Sequence, residues 1–351
     1  MSGEDNIKFM RRCLDLAAKA EGLTCPNPMV GSVIVNDGII IGEGFHVKAG
    51  RPHAEVIAIK SVKEKKLLGS SVLYVNLEPC SHFGKTPPCT DLILSVGIPC
   101  VVVGTEDTSE QVSGRGIAKL QNAGCKVITG VLEEECRKLN RRFFTFHEKR
   151  RPFIILKWAQ SADGFIDLIR TENYKIEPNW VTGKPERVLV HKWRTEEQAI
   201  LVGAGTIRSD NPRLNVREWK GNNPVRIILS GSGVLDKKLA INELVGSNIV
   251  FTRNGRAKIP GAVIVSLNDE RPAALQISEY LYKLGIQSLM IEGGAQVLEH
   301  FISNGLWDEA RIFTGSSDFR NGIRAPAIDG KLSAKTNFSQ STLTVLMNNK
   351  F

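Results

Sequence analysis

No run of this 351-residue chain approaches the ~20 consecutive apolar residues of a membrane-spanning helix, so no membrane association is expected. The amino end, Met1-Ser-Gly-Glu-Asp, lacks the basic start and apolar core of a secretory signal. Aromatic residues are scarce, at 7%, and no aromatic platform is read among the basic clusters. That argues against a groove for single-stranded nucleic acid, which stacks bases on aromatic rings. Low-complexity tracts and internal repeats are absent, which excludes repeat architectures. No cysteine follows Cys136, and no His/Cys cluster follows residue 147, so no metal site is expected in the second half. The seven cysteines present are odd in number and scattered, unlike a disulfide framework. A reducing cytoplasm fits them.

The length is too great for one typical core and comfortable for two domains. The net charge is +9, with basic clusters at Lys63–Lys66, Arg141-Arg142 and Lys149–Arg151. Without an aromatic platform, this balance points to a phosphorylated small molecule rather than nucleic acid.

Apolar positions spaced three and four apart predict an amphipathic helix over residues 6–21, stopped by Gly22. Strands are expected at 30–35 and 39–45 around an Asn36-Asp37-Gly38 hairpin turn. A helix opening at His53, a strand at 72–77 and a helix at 89–96 follow. Next come a strand at 99–104, a helix at 116–122, a strand at 126–129 and a helix at 133–140. Strands alternating with helices imply layers around one sheet. The charged stretch His147–Pro152 reads as a linker, giving domains of 1–147 and 148–351. The second half restarts with strands at 153–159, 199–203, 225–229, 248–251, 263–265 and 288–291. It adds helices at 185–194, 276–284 and 295–303, and closing strands at 308–314 and 342–346.

The chemistry of the first half lies in His53-Ala-Glu55, Cys80 and Cys89. One His, two Cys and a carboxylate two residues after the His are the residue set of a zinc deaminase. Zinc binds His nitrogen at about 2.0–2.1 Å and Cys sulfur at about 2.3 Å, and three protein ligands leave the fourth position for water. The bound ion lowers the pKa of that water to roughly 7. Deamination also needs a proton carrier beside the metal, and Glu55 is the natural one, with Glu78 and His82 as alternative carriers. Pro87-Pro88 suits a helix start, which would place Cys89 at a helix N-terminus, where the dipole favours thiolate. The spacing departs from the usual Pro-Cys-x-x-Cys: eight residues separate Cys80 from Cys89. A closed structural zinc site or ordinary buried thiols are the alternatives.

In the second half, Gly203-x-Gly205 and Gly293-Gly294 each follow a buried strand, a pattern that lets backbone approach a phosphate. The third glycine of the dinucleotide fingerprint is missing after Gly205, so this is not a Rossmann match. Tight strand–helix turns are the alternative.

The long ligand loop, Leu77-Glu-Pro-Cys-Ser-His-Phe-Gly-Lys-Thr-Pro-Pro-Cys89, closely resembles the bifunctional pyrimidine deaminase–reductases of riboflavin biosynthesis. Pro26-Asn-Pro-Met-Val-Gly31 and Gly114-Arg-Gly116 fit the same family, as do Ser161-x-Asp163-Gly164, Trp180-x-Thr182-Gly183, Ile200–Thr206, Asp210–Arg217 and Ile291–Ala295. The resemblance implies an α/β fold: a cytidine-deaminase-like α/β/α sandwich followed by a dihydrofolate-reductase-like α/β domain. It implies one zinc ion per chain on His53, Cys80 and Cys89, and NADPH in the second domain. It implies deamination of 2,5-diamino-6-(5-phosphoribosylamino)pyrimidin-4(3H)-one, then reduction of the ribosyl side chain to give 5-amino-6-(5-phosphoribitylamino)uracil.

Carried over by motif, Asn27, His46 and Lys85 match substrate-pocket positions of the deaminase. Ala159, Trp180, Thr206, Asp210 and Gly294, Ala295, Gln296, Val297, Leu298, Glu299 and His300 match cofactor contacts. Arg194, Leu214, Arg217 and Glu292 match substrate contacts of the reductase. Lys157 and Asp210 are the nearest groups for proton and hydride alignment. Arginines suit bidentate phosphate binding. Two stretches depart from the family pattern: Asp107-Thr-Ser-Glu110 lacks an expected asparagine, and Phe165–Asn179 is longer and more charged than usual, with Pro178 at a serine position. The competing readings are a nucleoside or RNA deaminase with an unrelated nucleotide-binding domain, and a zinc-stabilised scaffold. A homo-oligomer is the expected assembly.

Overall fold

A computed structural model describes residues 3–83, 87–109, 113–170, 176–233, 248–253 and 261–349. The expected substrate residue Lys85, residue Glu110 and residues 171–175 of the long connection lie outside that set. The chain divides into two units, Met1–Arg150 and Arg151–Phe351.

In the first unit, β1 (Gly31–Asn36) and β2 (Ile39–Phe45) form the expected hairpin. Asp37 and Gly38 both take positive φ, 49° and 77°, as a two-residue turn between right-twisted strands requires. β1 pairs antiparallel with β3 (Val72–Leu77), which is parallel to β4 (Cys100–Thr105), itself parallel to β5 (Lys126–Ile128). The sheet order is β2-β1-β3-β4-β5.

Period-two alternation splits the apolar strand residues between two cores. Leu73, Val75, Val101 and Val103 pack with Ala58, Ile93 and Leu120 of α2 (Ala54–Ser61), α3 (Cys89–Ser95) and α4 (Arg115–Asn122). Tyr74 and Val102 face Phe9, Met10 and Cys136 of α1 (Gly3–Ala18) and α5 (Glu133–Leu139). This is the α/β/α sandwich. The linker expectation is corrected in part: His147–Lys149 are the end of α6 (Arg141–Lys149), whose Phe143 and Phe144 are buried with Leu77. Its charged face hid a helix because the apolar contacts come from two residues only.

The second unit holds a sheet of nine strands among the described residues, ordered β11-β10-β9-β8-β12-β6-β13-β16-β15. They are β6 (Phe153–Gln160), β8 (Ala199–Gly203), β9 (Val225–Leu229), β10 (Asn248–Thr252), β11 (Ala262–Ser266), β12 (Ser288–Ile291), β13 (Glu309–Gly315), β15 (Lys331–Asn337) and β16 (Ser341–Met347). A separate ribbon pairs β7 (Phe165–Asp167) with β14 (Ile323–Arg324). The strands from β11 to β13 run parallel, and β15–β16 closes one edge antiparallel. β15 has no sequence signature because every residue in it is exposed. The helices are α7 (Lys184–Glu196), α8 (Ala204–Asp210), α9 (Ala273–Lys283) and α10 (Ala295–Ser303).

One topological feature positions the second site. The chain moves outward from β8 to β11, then returns to insert β12 between β6 and β8. The carboxyl ends of β6, β8 and β12 therefore meet where the winding changes direction, the place where ligands bind in such sheets.

Candidate active sites

The first candidate site forms where α2 starts, β3 ends and α3 starts. A glycine at Gly44 lets α2 lie directly on β2: a Cβ there would sit 2.6 Å from Ile57 Cβ. His53 caps α2 and Glu55 lies in its first turn. The loop after β3 folds back so that Thr90 N–H donates to Cys80 O at 3.2 Å, and Cys89 N–H donates to Cys80 Sγ at 3.4 Å. His53 Nδ1 faces both sulfurs, 3.3 Å from Cys89 Sγ and 3.5 Å from Cys80 Sγ. A tetrahedral ion with bonds of about 2.0–2.3 Å spaces its ligands roughly 3.5 Å apart, so the triangle fits zinc. The enlarged Cys80–Cys89 loop delivers both sulfurs.

Cys89 opens α3 as expected, yet its helix-end amide serves Cys80. Cys80 is pushed well down by hydrogen bonding from Cys89, against burial, with His53 adding to the lowering. The Cys89 thiol goes up because it donates to Cys80 and is buried. Glu55 is buried, and its Oε2 has no hydrogen-bond partner. Burial, then the charge of Cys80, pushes its carboxyl above the usual range. A buried oxygen left unpaired costs about 1–3 kcal/mol, and such a group beside three metal-type donors fits a site for zinc and a polar ligand.

Asn27 and His46 are brought to this site. Asn27 Nδ2 lies 3.0 Å from His46 Nε2, His46 Nδ1 lies 3.1 Å from Pro52 O, and the His46 and His53 rings are 5.6 Å apart. An Nδ1–H donated to Pro52 makes Nε2 an acceptor for Asn27. Burial lowers the His46 pKa, so the ring is neutral.

Three supporting residues were not legible in the sequence. Asn76 and Asn140 clamp Met29: its N–H donates to Asn140 Oδ1 at 2.8 Å, and its carbonyl accepts from Asn140 Nδ2 at 2.9 Å and Asn76 Nδ2 at 3.1 Å. They hold the Asn27 loop. Glu78, read as an alternative proton carrier, accepts instead from four backbone N–H groups: Asp107, Gly114, Gly116 and Ile117. The Gly114-x-Gly116 pair was its only signal. A Cβ at Gly116 would lie 2.1 Å from Pro79 O. The other alternative carrier, His82, is exposed.

The second candidate site sits at the carboxyl ends of β6, β8 and β12. Glu292 follows β12 and binds Arg194 of α7 through two hydrogen bonds, 2.8 and 2.6 Å. Arg194 Nη1 also donates to Asn215 O at 3.0 Å. Burial lowers the Lys157 pKa, with Glu292 opposing and Arg194 adding. Arg217 is exposed; its backbone N–H donates to His191 Nδ1 at 3.0 Å. Burial, then Arg194 and Arg217, drives His191 down to about 4, so it is neutral and can accept. Thr206 Oγ1 lies 3.4 Å from where a Cβ of Gly294 would be, which joins α8 to the Gly293-Gly294 turn. Both glycines have positive φ, 146° and 78°, and Gly205 has open space around it. Backbone amides at the start of α10 are thus open to close approach, a fit for a phosphate-bearing cofactor.

The other expected contacts have the following surroundings. Leu214 and Leu298 are buried in separate cores, at 2% and 0% exposure, because apolar strands face them. Val297 is 7% exposed and packs towards Gly203. His300 Nε2 accepts from Ala274 N–H at the start of α9, and so is spent away from the first turn of α10. Glu299 and Gln296 are exposed, and Ala159 is half-buried. Trp180 is exposed, with the Arg187 guanidinium 4.5 Å from its ring centre. Asp210 lies in a cluster with Arg170 and Asp167.

Two family models match the chain: the cytidine and deoxycytidylate deaminase zinc-binding region over residues 3–105, and the RibD C-terminal domain over residues 152–343. The riboflavin biosynthesis protein RibD of Aquifex aeolicus is 40% identical over 332 residues, covering 92% of this chain and 90% of that protein. The chain belongs to the RibD family. The Escherichia coli member is 33% identical, covering 92% of this chain and 91% of its own. The crystal structure of the Thermotoga maritima diaminohydroxyphosphoribosylaminopyrimidine deaminase/5-amino-6-(5-phosphoribosylamino)uracil reductase is 39% identical. It superposes with a TM-score of 0.88 over 99% of both chains. Acinetobacter baumannii RibD gives the same score at 30% identity, again over 99% of both. No helix among the described residues is long and apolar enough to cross a membrane.

Proposed function

We propose that this RibD-family chain performs two consecutive steps of riboflavin biosynthesis. Residues 1–150 deaminate 2,5-diamino-6-(5-phosphoribosylamino)pyrimidin-4(3H)-one. Residues 151–351 reduce the ribosyl side chain with NADPH, giving 5-amino-6-(5-phosphoribitylamino)uracil. The observation that carries the reading is the His53–Cys80–Cys89 triangle with the unpartnered Glu55 Oε2 beside it.

His53, Cys80 and Cys89 would hold zinc, which when bound supplies a water acidified to a pKa of about 7. Glu55 Oε2 takes one proton from the attacking water and gives it to the ring nitrogen, then takes a second from the hydroxyl of the adduct and gives it to the departing amine. Its burial favours the protonated form, which is what a shuttle must reach in mid-reaction. Asn27 and neutral His46 orient the pyrimidine. In the second unit NADPH supplies the hydride. Thr206 and the amides of Gly294 and Ala295 bind it, while Arg194 and Arg217 hold the substrate phosphate. Glu292 keeps Arg194 in place and sets Lys157 as the nearest proton source. The family's two chemistries and the seven free thiols support action in the reducing cytoplasm.

Purified protein is incubated with the diaminopyrimidinone phosphate, with and without NADPH, and products are weighed by mass spectrometry. The expected result is an amine-to-oxygen exchange without NADPH and a further two hydrogens with it. Unchanged substrate mass under both conditions sinks the reading. Deamination of free nucleosides or RNA instead would favour the simpler deaminase.

A further inference from the structure

The connection Phe165–Asn179 supplies a residue that the proposed reaction does not use. We propose that Arg170 is a positioning residue of the reductase, fixing Asp210 at the end of α8 and setting its charge. The inference rests on the reading of Asp210 as part of the reductase site.

The geometry is a hub. Arg170 Nη2 donates to Asp210 Oδ1 at 2.7 Å and to Asp167 Oδ1 at 3.2 Å, while Nε donates to Asp167 Oδ2 at 3.0 Å. Its Nη1 donates to Ser209 O at 2.6 Å and Glu177 O at 2.9 Å. One guanidinium therefore ties β7, the carboxyl end of α8 and the segment before Trp180. Asn179 Nδ2 braces the same Asp167 at 2.5 Å. Only a planar fork with five donors can serve all these acceptors; an ammonium cannot. The side chain is sheltered, at 14% exposure, so solvent does not screen the pair as it would a surface bridge. Ser209 O belongs to the last turn of α8, where a carbonyl lacks a helical partner and a cation is favoured.

Among the described residues, the charged groups facing Asp210 are Arg170 and, from β7, Asp167. Burial raises Asp210 to about 6, with Asp167 adding and Arg170 opposing. Removing Arg170 leaves both raising influences, so the carboxyl must rise further. An opposite charge at this range is worth about 1–3 pH units. The sign for stability follows. A carboxyl whose folded pKa is raised stabilises the fold below its unfolded pKa, and that contribution is lost as pH rises through the folded value. In wild type the loss is nearly complete about one pH unit above that folded value. Without Arg170 it extends past pH 7.

The test uses full-length Arg170→Met, Arg170→Lys, Asp210→Asn and the double variant Arg170→Met/Asp210→Asn. Reduction of supplied deaminated substrate is followed against pH, and melting of the NADPH-free protein is followed against pH in parallel. In Arg170→Met the acid limb of kcat/KM should move up by at least about one unit, cutting the rate about threefold at pH 6.5. Its melting temperature should keep falling between pH 6 and 7.5, and that fall should vanish in the double variant. Arg170→Lys should hold the limb near wild type while lowering kcat/KM, because charge survives and the fork does not.

An acid limb unmoved in Arg170→Met overturns the proposal. So does a melting profile that Asp210→Asn does not correct. Should Arg170→Met not fold, wild-type kinetics in Arg170→Lys overturn it. Wild-type reduction by Asp210→Asn overturns the reading of Asp210 instead, while the melting profiles still report on the ion pair.

Discussion

Glu78→Gln should destabilise the first unit by about 3 kcal/mol. Glu78 follows β3, where its N–H donates to Thr105 O at 3.0 Å, and it precedes the Pro79-Cys80 ligand turn. Its Oε1 accepts from Gly116 at 2.8 Å and Ile117 at 3.2 Å, in the first turn of α4. Its Oε2 accepts from Asp107 at 3.1 Å and Gly114 at 3.0 Å. The side chain is 5% exposed, so water cannot replace it. Glutamine supplies one oxygen for one pair and turns an NH₂ towards the other pair of donors. Two N–H groups lose their acceptor, at about 1–3 kcal/mol each, and the charge facing the start of α4 is lost as well. For a unit of this size, about 3 kcal/mol lowers the melting temperature by roughly 6–12 °C. Calorimetry of the full chain, with zinc release marking the transition of the first unit, measures it. A transition within 2 °C of wild type would show that the four bonds are not the anchor described.

Glu55→Gln should keep zinc near wild-type stoichiometry and lose about 10²–10⁴-fold in deamination, with reduction unchanged; metal analysis and the two assays check it, and zinc loss would make Glu55 a ligand. Chelation should abolish deamination and spare NADPH-dependent reduction of supplied deaminated substrate; loss of both would join the two chemistries. Cys89→Ser should lose zinc and deamination together, read by metal content, since the ion also fixes the loop. A fragment of residues 1–150 should stay soluble and deaminate, whereas one ending at residue 140 should aggregate, because it removes Phe143 and Phe144 from above Leu77. Equal solubility of the two fragments would count against a structural role for α6.

Local pattern carried much of the fold. The Asn-Asp-Gly turn, the apolar strands and the glycine-bounded helices each depend on residues close in sequence. The sequence also singled out the three candidate donors that the fold brings together, because His53 and Glu55 share the start of one helix, Cys80 follows a strand and Cys89 opens a helix. What it misread depended on distant partners. His147–Lys149 looked like a linker because the helix is held by two phenylalanines against a strand about 70 residues earlier. Nor could local pattern show that Leu214 and Leu298, expected as ligand contacts, also fill cores whose walls come from other strands.

By itself, then, the sequence determined the alternation of elements, the candidate donors of the first site and the glycine turns of the second. Those follow from backbone propensity and side-chain chemistry, which act over a few residues. Only the tertiary structure decided that β12 inserts between β6 and β8, so that Glu292 meets Arg194 and Lys157. Only it gave Glu78 to four amides, Asn140 to Met29, and Arg170 to Asp210. A buried polar group must find a partner, but which one depends on what the whole chain brings within about 3 Å.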